Sequence, residues 1–149
     1  MGFLFEYKAG QQQQAAYNFS SDINERNALA AEQDAKQLVF SEEQNIVEFR
    51  EQISNLQDAQ AQAFRYNGWI AEEGTPLKVA LASAQEADEE IATRRYNAKV
   101  GKQSLIESAT QERMQGTLNR MYGKSAATAG KARAFQSLIN TGTAIAGAM

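Results

Sequence analysis

Asn67-Gly68-Trp69-Ile70-Ala71-Glu72-Glu73-Gly74-Thr75-Pro76 is the stretch that decides the fold. It holds the chain's single proline, Pro76, and a pair of glycines, Gly68 and Gly74. Gly68 can take the left-handed backbone that closes a helix, and Thr75 followed by Pro76 suits the opening of the next one. So short a connection sets its two helices antiparallel. Trp69 at the turn either caps the hairpin's own core or stands out to anchor a neighbour.

Upstream, residues 11–66 contain no glycine and no proline. Ala, Gln, Glu, Lys, Arg and Leu dominate, and these are the best helix formers. Apolar residues recur at Phe19, Ile23, Ala30, Leu38, Ile46, Phe49, Ile53, Leu56 and Ala63. From Ile46 onward the 3/4 spacing is that of a coiled-coil seam; earlier, Asp34 and Glu42 interrupt the stripe, so the seam there is weaker or is filled by other subunits, and Phe19, Phe49 and Phe64 lie on or beside the stripe as core candidates. A helix of about 50 residues would run to about 75 Å. Residues 1–10, which mix Phe3, Phe5 and Tyr7 with Gly2 and Gly10, read as a short adhesive arm or a frayed helix start.

Downstream, a second stripe runs Leu77, Leu81, Ala84, Ala87, Ile91, Ala98, Leu105, Ala109, with Gly101 and Gly116 on or near it. The expected organisation is all-α. It comprises an arm (1–10), a long helix (11–66), a turn (67–75), a second long helix (76–122) and a small-residue amphipathic tail (123–149). The result is a coiled-coil-like hairpin that completes its packing in a homo-oligomer, because two thin ridges of this length bury little against each other.

The chain has no cysteine and no histidine, which excludes thiolate nucleophiles, Cys/His zinc sites and histidine bases. The carboxylate runs Glu42/Glu43, Glu72/Glu73 and Asp88/Glu89/Glu90 read as solvated faces, and Gly-rich phosphate loops are absent. Neither an enzyme nor a cofactor is expected. No secretory signal is visible, and no apolar run is long enough to span a membrane.

Charge is divided unevenly. Residues 1–93 carry 6 basic and 16 acidic side chains, whereas residues 94–149 carry 9 basic and 2 acidic ones. One reading is pairing between acidic and basic helices. The other is a basic contact for DNA or anionic lipid through Arg94, Arg95, Lys99, Lys102, Lys131 and Arg133. The tail is basic at its start, then apolar. Phe135, Leu138, Ile139 and Ile145 are its candidate membrane or partner contacts.

The segment Gly74-Thr75-Pro76-Leu77-Lys78-Val79-Ala80-Leu81, the Ala/Glu run after it, Arg95-Tyr96-Asn97-Ala98 and the Gly/Ala close of Ser125–Met149 together resemble small internal virion proteins of short-tailed bacteriophages. The resemblance covers about residues 60–149. It implies a protein held in the virion interior or at the portal and tail. Such a protein leaves with the genome and helps form a conduit across the host envelope. The implied partners are copies of itself, portal, tail or other internal virion proteins, phage DNA and host outer-membrane lipid. The chain lacks an apolar N-terminal stretch to match its C-terminal one. A static virion component and a generic coiled-coil scaffold are the rival expectations.

Overall fold

Two helices, α1 (Gly2–Tyr66) and α2 (Gly74–Ala146), make up the protein and pack against each other as a helical hairpin. The structure is a computed structural model that describes the backbone of residues 2–146 and the side chains of residues 4–139. No strand occurs among the described residues.

The turn forms for the reasons its sequence suggests. The Gly68 N–H donates to the Arg65 carbonyl and the Trp69 N–H to the Phe64 carbonyl, both at 3.0 Å. These are the two bonds of a Schellman cap. They require the left-handed backbone that Gly68 adopts (φ 82°). Gly74 also has positive φ (65°), and α2 opens there rather than at Pro76. Pro76 lies buried in the first turn, where its missing N–H leaves no helical acceptor unpaired.

Two expected boundaries are absent. Residues 2–10 are not a separate arm but the first turns of α1. Residues 123–146 are not a separate tail, because α2 continues through Gly116, Gly123 and Gly130 without a break. Each glycine costs about 1 kcal/mol of helix propensity relative to alanine. All three, however, fall on the face that meets α1, where close packing offsets that cost.

The chain divides into two compact units. One pairs Met1–Glu32 with Glu107–Met149. Its seam is built almost wholly of small residues. A Cβ on Gly10 would come within 2.9 Å of the Gly130 Cα, and the reverse holds equally. Gly116 lies against Ser21, and Gly123 against Tyr17. Ala28, Ala109, Ala134 and Ser21 are buried. Polar groups bridge the seam as well. The Asn119 amide donates to Ser20 Oγ at 3.2 Å, and the Asn24 amide, turned so that its nitrogen faces the Ser20 carbonyl, would link that carbonyl to the Gly116 N–H.

The other unit is Gln33–Ile106, the two helices leading into and out of the turn. Its seam has larger members. Ile46 and Ile91 are buried with Ala35 and Ala87, and the Leu38 methyls approach Gly101.

The larger surprise is where the apolar residues lie. Phe19, Ile23 and Ala30 do not face α2; Phe19 is 69% exposed. Leu77 and Leu81 are likewise exposed, and Phe49 and Phe64 are only half-buried. The seam of α1 instead runs through Gly10, Tyr17, Ser21, Asn24 and Ala28, two residues out of step with Phe19 and Ile23. Two residues are about 200° around a helix, so those side chains stand on the opposite face.

Candidate interaction surfaces

Each helix carries a second ridge on the side away from the seam. On α2 it runs through Met114, Leu118 and Met121, continues through Ser125, Thr128 and Ala132, and ends at Phe135 and Ile139. Spaced by alternate fours and threes, these eight side chains are all exposed and none is charged. On α1 Phe5, Ala9, Ala16, Phe19 and Ile23 form the corresponding outward ridge of the same unit. In the turn-proximal unit Phe40 and Val47 project from α1, and Tyr96 and Val100 from α2. Phe19, Ile23, Phe135 and Ile139 stand out in the sequence as apolar positions, but a single 3/4 stripe per helix does not predict a second, outward one. The 3/4 spacing from Met114 to Met121 and the seven-residue spacing of Phe40 and Val47 were the available signals.

The six basic residues singled out from sequence are divided between the two units. Arg94 donates to Glu90 at 2.8 Å and its guanidinium lies 4.7 Å from the centre of the Phe49 ring. Arg95 places its fork on Glu43 at 3.2 and 3.3 Å. Both are therefore engaged within the hairpin. Lys99 and Lys102 line a groove of about 260 Å³ with Val39, Glu42, Glu43 and Ile46. Lys131 and Arg133 are exposed in the other unit. Arg133 borders a groove of about 400 Å³ with Phe5, Glu6, Gly10, Tyr17 and Tyr122.

Pairing between acidic α1 and basic α2 is present. Arg113 donates to both Glu25 and Glu32, and these two bonds hold its guanidinium above its ordinary pKa. Arg120 lies 3.7 Å from Asp22. At the turn Arg65 donates to Glu72 and holds that carboxyl below its ordinary pKa.

Of the other residues expected at the surface, Trp69 is 58% exposed beside Ile70, while Gly68, Gly74 and Pro76 shape the turn. Phe135, Leu138 and Ile139 are exposed, and the Ile145 side chain lies outside the described residues. Among the described residues no group of three or more Asp or Glu could hold a metal ion, and no helix is long and apolar enough to cross a membrane. Comparison with family models, with curated proteins and with solved structures gives no match.

Proposed function

We propose that this chain is a self-assembling, non-enzymatic internal virion protein of a short-tailed phage, one that leaves the particle with the genome and helps wall the delivery conduit. The observation that supports it is the inverted placement of side chains. Glycine, alanine and serine line much of the seam, and many large apolar residues, Phe19, Phe40, Leu81 and Phe135 among them, point outward. Burying a Leu, Ile, Phe or Met side chain is worth about 1.5–3 kcal/mol. A hairpin that leaves so many in water gains most by packing against copies of itself. The phage setting rests on the resemblance of residues 60–149.

The basic end of the chain fits that setting. After Glu112 no acidic residue occurs, and beyond the ion-paired Arg113 and Arg120 the exposed Lys124, Lys131 and Arg133 follow. Such a surface is suited to the phosphates of DNA or of lipid.

Two measurements test the proposal. Sedimentation of the purified chain should give a multiple of its 16.4 kDa mass. Quantitative protein analysis of full and emptied particles should find the chain in the first and lost from the second. A monomer, or a chain absent from full particles, overturns the proposal. Retention in emptied particles assigns it a static role.

A further inference from the structure

The outward faces of the unit Gln33–Ile106 are complementary to each other rather than to themselves. On α1, Phe40, Glu43, Gln44 and Val47, together with Glu48, line an open surface hollow of about 400 Å³. Those four positions have the i, i+3, i+4, i+7 spacing that receives one side chain in knobs-into-holes packing. On α2, Tyr96 and Val100 project as knobs, 67% and 48% exposed. The two features sit at one level of the hairpin, because Leu38 touches Gly101 and Glu43 pairs with Arg95.

Charge divides the same way. Residues 40–51 hold Glu42, Glu43, Glu48 and Glu51 against Arg50, and residues 94–106 hold Arg94, Arg95, Lys99 and Lys102 with no acidic residue. Among the described residues, Glu48, Glu51, Lys99 and Lys102 make no ion pair within the chain. Facing α1 with a second α1 would set glutamates against glutamates. Facing α2 with a second α2 would oppose lysines.

We infer that the occupant of the Phe40–Val47 hollow is the Tyr96–Val100 ridge of a second copy of this chain, in a head-to-tail contact. Each copy then offers one hollow and one ridge, so the contact repeats from copy to copy and either closes a ring or extends. This rests on the self-assembly part of the proposed function and adds the face, the register and the polarity.

Two full-length variants test it, one with Phe40→Gln and Val47→Gln, the other with Tyr96→Gln and Val100→Gln. The substituted side chains are exposed in the single chain, and circular dichroism verifies that helicity is kept. Each variant alone should sediment as a monomer. Their equimolar mixture should form a complex of two chains and stop there, because only one intact hollow and one intact ridge remain. A variant that keeps the wild-type mass, or a mixture that stays monomeric, overturns the contact. A wild-type oligomer with either result leaves the broader proposal standing, whereas a wild-type monomer removes both.

Discussion

The unit built from Met1–Glu32 and Glu107–Met149 and the unit Gln33–Ile106 solve the same packing problem with opposite materials. The first removes side chains. Gly10 and Gly130 meet backbone to backbone, and Gly116 and Gly123 let Ser21 and Tyr17 come close. The second keeps side chains and fits them together, with Ile46 and Ile91 buried and Leu38 over Gly101. A glycine on a helical stripe is thus not one kind of residue. In the first unit it is required by the neighbouring backbone, and in the second it is merely tolerated.

The largest effect should come from the unit that relies on side chains. Ile46→Ala removes its one large side chain that is almost fully buried and should cost about 2–4 kcal/mol in a urea melt at fixed protein concentration. A loss below 1 kcal/mol would mean that Ile46 does not anchor this seam.

Next comes one substitution made at two places. Gly130→Ala puts a Cβ 2.9 Å from the Gly10 Cα, so the helices must part. Overpacking of that kind costs about 1–3 kcal/mol. The gain of about 1 kcal/mol in helix propensity offsets only part of it. Gly101→Ala meets only the Leu38 methyls at 3.4–3.5 Å and should stabilise by about 0.5 kcal/mol. Changes of the same sign in the two melts would erase the contrast between the units.

Smaller still is Arg113→Ala. The arginine serves both Glu32 and Glu25, but its side chain is 40% exposed, so solvent screening should keep the loss below that of either core substitution. The loss should shrink further as salt is added.

The smallest effect lies at the turn. Arg65 holds the Glu72 carboxyl below its ordinary pKa, so the stability linked to this pair is present at neutral pH. It falls away as acid protonates Glu72 in the folded chain. In an Arg65→Ala variant, a carbon-13 NMR titration should show the Glu72 carboxyl moving up toward its ordinary pKa. An unmoved titration would show that Arg65 is not the cause.

Much of this architecture was legible in the chain itself. The absence of proline and glycine from residues 11–66 dictates a helix, because nothing there breaks one. Gly68 marks where it ends, since the Schellman cap needs a residue that accepts positive φ. The 3/4 spacing of Ile46, Phe49 and Ile53 gives the inward face near the turn, and Gly101 and Gly116 were legible as seam residues. Arg94 and Arg95 were legible as cations, but not as cations already held by Glu90, Phe49 and Glu43.

What only the tertiary structure decided is which face of each helix turns inward over the rest of its length. Phe19, Ile23 and Ala30 follow a 3/4 rhythm, and so do Tyr17, Ser21, Asn24 and Ala28. Hydrophobicity alone favours the first set, because it weighs burial and ignores the distance between backbones. Close approach to Gly116, Gly123 and Gly130 selects the second set, since only small or slender side chains fit where two helix backbones nearly touch. Helix, turn and direction are local properties and can be read along the chain. Facing depends on the shape of the partner helix, and that exists only once the two have come together.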